Sequence, residues 1–263
     1  MRTTGSVASE LLCGWLSMPK VSIIIRAKNE ERYLGETLSA IRAQRFRDFE
    51  VVLVDSGSTD RTIEVAREHG AKIVTIEPAE FTYGWALNLG ISYSDGEYLV
   101  SLSAHATPET DEWLGRLVSG FRYAAVAGVY GRHIPRDNVS FFELMGMRLS
   151  GVTSKEHRLQ SGGARFSNTN GAFRRRLWEL YPFNEALPGA EDIEWARRMQ
   201  RLGFSIVYEP RAAVFHSHGE SLPRLLRRQL HDQPVIFQSW LGGVFAGEPQ
   251  RKPKARTREM TTK

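Results

Sequence analysis

Two runs of mostly β-branched residues, VSIIIRA (Val21 to Ala27) and FEVVLVDS (Phe49 to Ser56), are apolar without alternation. A strand covered on both faces reads this way, and such strands belong to sheets sandwiched between helices. Between the two runs, Leu34, Leu38 and Ile41 recur at i, i+4 and i+7, which predicts a helix. The chain spells strand, helix, strand. The pattern continues with a helix over Thr59 to His69, a strand over Ala71 to Ile76, a helix over Trp85 to Ser94 and a strand over Glu97 to Ser103. Alternation of this kind predicts an α/β chain with a parallel sheet and helices on its faces.

After Pro108 a helix carrying Trp113, Leu114, Leu117, Val118 and Phe121 leads into a strand over Ala124 to Gly131, near which the first half is expected to end. From 132 to 170 periodicity fades and Arg, Ser, Asn and Gly accumulate, which predicts long loops around one short amphipathic helix, Phe141 to Leu149. Long loops inside compact domains are usually functional or mobile. Trp195, Met199 and Leu202 mark a further helix behind Glu191 and Asp192, and SIVYEP and AAVFHSH read as two short strands. The expected organisation is an extension over 1–18, a main domain over 19–220 divided near 131, and a basic amphipathic helix and tail over 221–263.

Composition narrows the function classes. Hydrophobic residues make up 41% of the 263 and charged residues 25%, an ordinary globular balance that argues against disorder or a rod. No stretch reaches the roughly 18 uninterrupted apolar residues of a membrane-crossing helix. Cys13 is the only cysteine, which excludes intrachain disulfides and thiolate zinc sites and fits a reducing compartment, the cytoplasm. The N-terminal stretch, broken by Glu10, is a poor match to a secretory signal and is expected to be a flexible extension. Net charge is +5, but residues 222–263 hold nine Lys and Arg against three Asp and Glu, leaving 26 against 27 elsewhere. A neutral body with a basic tail argues against nucleic-acid binding and suits an anionic membrane surface.

Two motifs fall at predicted strand ends. VVLVDSGSTD closes a buried strand with Asp55, then Ser56, Gly57 and Ser58, and the carboxyl ends of parallel strands are where α/β sheets bind ligands. A carboxylate there accepts from a base N–H or a ribose hydroxyl while small turn residues let backbone N–H groups approach. The same residues equally serve as turn and helix caps. RAKNEERYL places Asn29 and Glu30 at the mouth of the same sheet, or sets Asn29 as a helix cap with Glu30 and Glu31 favourable to the helix dipole. No GxGxxG or Walker lysine motif is present.

The strand ending in AKNEE, the following LVDSGSTDRT, then YGWALNLGISYSDGEYLVSLSAHATP and NGAFRRRLWELYPFNEALPGAEDIEWARRMQRLG occur in that order. Together they resemble the family 2 inverting glycosyltransferases of the GT-A fold, in the rhamnosyltransferase-like branch that builds bacterial surface polysaccharides. The resemblance covers roughly Val21 to His218. It implies a mixed, mostly parallel Rossmann-like sheet and transfer of a monosaccharide from a nucleotide-diphosphate sugar to a glycan or lipid-linked hydroxyl acceptor. It implies that Arg26, Asn29, Glu30 and the Asp55 to Ser58 turn hold the donor, with Asp55 reading the base.

By the same resemblance Glu191-Asp192 is the acceptor-side acidic pair, with Asp192 the general base and Glu191 either orienting it or binding acceptor hydroxyls. The alternative is that both merely complement a helix dipole. The family's acidic metal motif falls on Ser103-Ala104-His105, a departure. Either His105 holds a divalent metal (Mg²⁺ or Mn²⁺), helped by phosphates and a later histidine, or protein groups take over the positive role. His216 and His218, whose alternating spacing puts both rings on one strand face, are the phosphate or metal candidates. Arg174, Arg175 and Arg176 are further candidates to neutralise diphosphate. The rival readings are a non-catalytic nucleotide-sugar-binding scaffold and a nucleotidyltransferase, the latter disfavoured because RAKNEE has no glycine.

Overall fold

A computed structural model describes residues 20–163 and 165–218. In chain order its strands are β1 (Val21–Ala27), β2 (Phe49–Asp55), β3 (Lys72–Thr75), β4 (Tyr98–Ser103), β5 (Thr107–Pro108), β6 (Val126–Ile134), β7 (Arg158–Gln160), β8 (Asn170–Arg174) and β9 (Ser205–Phe215). The helices are α1 (Glu31–Arg42), α2 (Thr62–Glu68), α3 (Tyr83–Ser92), α4 (Trp113–Ser119), α5 (Phe141–Ser150), α6 (Arg175–Leu180) and α7 (Glu191–Arg201). The sheet runs β3-β2-β1-β4-β8-β6-β9-β5, and β7 pairs with β9.

The first four strands are parallel, with Ile25 opposite both Leu53 and Leu102. Continuous apolar runs are required because each strand feeds two cores. Ile23, Ile25 and Leu53 pack with Leu34 and Leu38 of α1 and Trp113 and Leu117 of α4. Ile24, Val52 and Val54 face the other way, toward Leu87 of α3, Trp178 of α6 and Trp195 and Met199 of α7. Each fully buried aliphatic side chain contributes about 1.5–3 kcal/mol of transfer free energy, so the two layers fix the sheet from both sides.

The second half departs from the sequence expectation in two places. The stretch read as loop ends in β8, which lies between β4 and β6 and runs antiparallel to both. No β-branched run announces it, because close approach demands small residues: a Cβ on Gly171 would stand 2.5 Å from the Ser167 carbonyl oxygen. SIVYEP and AAVFHSH are one strand, β9, interrupted by a bulge. Its register along β6 jumps from Gly131 opposite Glu209 to His133 opposite Val214, and Pro210, which cannot donate to a ladder, falls in the gap.

The expected extension over 1–18 and the basic amphipathic helix and tail over 221–263 lie outside the described residues. Among the described residues no helix is long and apolar enough to cross a membrane.

Candidate active site

The carboxyl ends of β1, β2 and β4 open on one side of the sheet. There Asp55 is 1% exposed, and its Oδ2 accepts the backbone N–H groups of Gly57 and Ser58, both at 3.0 Å. Its Oδ1 is buried with no hydrogen-bond partner among the described residues. One oxygen is spent on the turn; the other remains for a donor from outside. Gly57 sits at φ +85°, and a Cβ there would lie 2.7 Å from Cγ of Pro78. The turn is built for glycine twice over.

Asn29, also left-handed at φ 56°, does not cap α1. Its N–H donates to Oγ of Ser58 at 2.9 Å, and its Oδ1 accepts the Thr59 N–H at 2.8 Å. Glu30 donates its N–H to Thr62, Glu31 to Asp60, and Arg61 to the Glu31 carboxylate. The KNEE and DSGSTD turns therefore lace together. Ser56 is consumed too, donating from both N and Oγ to the Ala27 carbonyl.

Arg26 leaves the end of β1 in another direction. Its guanidinium stacks over the Tyr83 ring, donates to the Tyr83 carbonyl at 2.9 Å and pairs with Oε1 of Glu191 at 3.2 Å. Glu191 is buried at the start of α7 behind Ala190, which adopts φ 57°. The same Oε1 accepts from Nδ2 of Asn168 at 3.1 Å, while the Asn168 backbone N–H donates to Oδ2 of Asp192 at 3.0 Å. Oδ1 of Asp192 accepts the Ile193 N–H at 2.7 Å. Burial, followed by the neighbouring Glu191 charge, pushes the Asp192 carboxyl up to about 7 despite these donors and Arg26. A carboxylate poised near neutrality has the profile of a general base.

Beyond β4, His105 meets the histidines that follow β9. Its ring stacks on His216 at 4.9 Å between centroids and meets His218 edge-on at 5.0 Å. The three offer one ligand atom each, all within 4.8 Å of one another. Nδ1 of His105 lies 3.0 Å from Oε1 of Glu30. The alternating spacing predicts both later rings on one strand face; β9 in fact ends at Phe215, and the rings converge past its end. The His216 N–H donates to the Ile134 carbonyl and the His218 N–H to the buried Glu143 of α5. His133 stands behind His216 at 5.2 Å, its imidazole pushed down to about 4 by burial and therefore neutral.

The sequence profile of glycosyl transferase family 2 matches residues 22–181, which spans β1 through α6. The chain belongs to that family. It is 28% identical over 242 residues to the O-antigen chain rhamnosyltransferase WbaN of Salmonella anatum, covering 88% of this chain and 76% of that protein. Glycosyltransferase AglE of Haloferax volcanii is 26% identical over 238 residues, 86% of this chain and 75% of the other. Among solved structures, the mannosyltransferase PcManGT of Pyrobaculum calidifontis, in complex with GDP-Man and Mn²⁺, superposes with a TM-score of 0.66 at 23% identity, covering 89% of this chain and 66% of that one. Staphylococcus aureus TarS 1-349, in complex with UDP-GlcNAc, gives 0.59 at 21% identity, over 76% and 60%. The fold is thus that of the GT-A glycosyltransferases.

Within this family 2 frame the fold gathers Asp55, Glu30, Arg26, His105, Glu191, Asp192, His216 and His218 along one rim. The three arginines expected near a diphosphate are not there. Arg174 lies opposite Tyr98, at the start of β4 and the far end of the sheet, and donates to the carbonyls of Phe121, Tyr123 and Val126. Arg175 donates to Gly96 and Ser94 at that same end, and Arg176 follows it at the start of α6. The antiparallel direction of β8, invisible in the sequence, is the reason. Sequence reasoning missed two residues. Asn168 links both carboxylates of the acidic pair, and Arg136 donates to the His105 carbonyl and to Thr107 while stacking on Tyr33. Nothing local marks Asn168; Arg136 was visible only as one of many arginines in a loop.

Proposed function

We propose that this family 2 glycosyltransferase moves a monosaccharide from a nucleotide-diphosphate sugar to a hydroxyl of a glycan or lipid-linked acceptor, with inversion. The observation that carries the reading is the Asp192 carboxyl, raised to about 7 and joined through Glu191 to Arg26, a residue of the strand that ends at the donor side. Asp55 reads the base through its unpartnered oxygen, and the Asn29, Glu30 and Ser56–Ser58 turns shape the cleft over ribose and diphosphate. The acceptor oxygen attacks the anomeric carbon opposite the diphosphate and loses its proton to Asp192. The anomeric C–O bond breaks, and its electron pair leaves on the diphosphate oxygen. Glu191, held by Arg26 and Asn168, fixes the backbone turn from which Asp192 reaches the acceptor.

The Ser103-Ala104-His105 segment with His216 and His218 would hold a divalent cation. When bound, such an ion supplies charge neutralisation to the departing diphosphate. The rhamnosyl, mannosyl and UDP-linked relatives span different bases and sugars, so the donor is specified here only by class. A reducing cytoplasm and an anionic membrane face are the proposed place of work, with the tail beyond 221 as the membrane contact.

Thermal stabilisation by UDP, dTDP and GDP tests the reading. A nucleotide at about 100 times its dissociation constant adds about 2.7 kcal/mol. A selective shift for one nucleotide, with inverted anomeric configuration in the transfer product, is the expected result. No shift with any of them, or retained configuration, overturns it.

A further inference from the structure

We propose that His105, His216 and His218 form a nitrogen-ligated metal centre that takes a transition-metal dication of the Co²⁺ or Zn²⁺ class and discriminates against Mg²⁺. The proposal deepens the donor-site reading above and rests on it only for the metal's role in transfer. Three observations carry it. The first is convergence: segments far apart in sequence bring one imidazole from beyond β4 and two from beyond β9, their ligand atoms all within 4.8 Å of one another. The second is the donor set: among the described residues, the His, Cys, Asp and Glu side chains that converge there are all imidazoles. Mg²⁺ is a hard ion that demands oxygen ligands and near-ideal octahedral geometry, whereas imidazole suits the later first-row metals, whose affinity rises from Mn²⁺ toward Cu²⁺. The third is the support. Glu30 stands 3.0 Å from Nδ1 of His105, so a proton held on Nδ1 donates to the carboxylate and leaves the Nε2 lone pair for a metal.

That last contact gives Glu30 a positioning role, orienting His105 rather than touching ribose. The backbone around the other two ligands is anchored as well. The N–H groups of His216 and His218 are tied to Ile134 and Glu143, and Oγ of Ser217 faces Asn138. Arg136 closes the side of the cluster, paired with Glu36 and bonded to the His105 carbonyl. A cation there would sit where the acidic motif of related enzymes is replaced, on a rim that also holds the Asp55 cleft.

The test is titration of the full chain, freed of metal by a chelator, with Co²⁺ and separately with Mg²⁺. Visible ligand-field absorption reports Co²⁺ coordination and calorimetry reports both ions. The expected result is one Co²⁺ per chain, bound at least about 10²-fold tighter than Mg²⁺. His218→Ala, at an exposed position where folding is not at stake, is expected to remove the absorption band. Glu30→Ala is expected to weaken Co²⁺ by about 10–100-fold with the band retained, the usual cost of losing a group that orients a metal-bound histidine. Equal affinity for the two ions, or an unchanged Co²⁺ band in both His218→Ala and His105→Ala, overturns the proposal. Nucleotide binding measured beside it separates the two readings. Intact Co²⁺ binding without any nucleotide binding sinks the donor site alone, and nucleotide binding without a Co²⁺ band sinks the metal centre alone.

Discussion

The two sides of the cleft are built on opposite principles. On the side proposed for the donor, the Ala27–Glu31 and Asp55–Thr62 turns follow adjacent strands, satisfy each other with backbone and side-chain hydrogen bonds, and leave one carboxylate oxygen over. On the other side, Asn168, Glu191, Asp192, His105, His216 and His218 arrive from four separate segments, and their geometry depends on β8 and β9 taking their places in the sheet. A self-satisfied turn tolerates isolation; an assembled cluster depends on every element that delivers it. The difference predicts where substitutions act: on stability and nucleotide affinity in the first region, on turnover in the second.

The largest effect sharpens that division. Asp192→Asn is expected to lower kcat for sugar transfer by about 10² or more, the usual contribution of a positioned base, with nucleotide affinity nearly intact. Turnover at the wild-type rate would remove Asp192 from the chemistry. Asn168→Ala comes next. It deletes the Nδ2 bond to Glu191 and leaves the backbone donor to Asp192 in place, so kcat should fall by about 10- to 10²-fold, in line with about 1.5–3 kcal/mol for a hydrogen bond to a charged group. A change confined to the donor KM would place Asn168 in the donor site instead.

On the self-laced side the expected loss is structural. Gly57→Ala forces a Cβ against Pro78 at φ +85° and should cost about 1–3 kcal/mol, read as a drop in Tm. Gly70→Ala, at φ +69° with nothing within 4 Å, provides the comparison. It carries the backbone strain without the collision and should cost less. Equal losses would show that Pro78 yields.

The smallest effect is a slope. Because Asp192 titrates near 7 in the folded chain and at its ordinary lower value when unfolded, the unfolded state is the better acid. Its contribution to stability is therefore fully present at acid pH and is lost as pH rises toward 7. Denaturant unfolding across that window should show a stability that declines less steeply in Asp192→Asn than in the wild type. Parallel curves would mean that burial does not raise this carboxyl. For transfer the sign is reversed: kcat should rise as Asp192 loses its proton through about 7.

The same contrast explains what was legible in advance. VSIIIRA and FEVVLVDS encode their burial on two faces, so the first four strands could be read to within a residue and the helices between them to within about three. The turn at Asp55 and Gly57 was legible as a tight turn at a strand end through its position and residue types. The acidic pair and the histidines were legible as residues, by resemblance, yet their contacts were not. Asn168 has no local signature, and β8 is a five-residue strand, NGAFR, with neither a β-branched run nor an apolar alternation, whose identity comes from its neighbours. Misreading that one strand also misplaced Arg174 and Arg175, because its direction decides which end of the sheet they occupy.

The most direct measurement is calorimetric binding of the preferred nucleoside diphosphate to two variants, Asp55→Asn and Asp192→Asn, beside the wild type. Asp55→Asn replaces the unpartnered acceptor oxygen with a donor, and its affinity should fall by at least about tenfold, or about 1.4 kcal/mol. Asp192→Asn should bind as the wild type does while failing to transfer sugar. Full affinity in Asp55→Asn together with lost affinity in Asp192→Asn would contradict the division of the cleft into a binding side and a catalytic side.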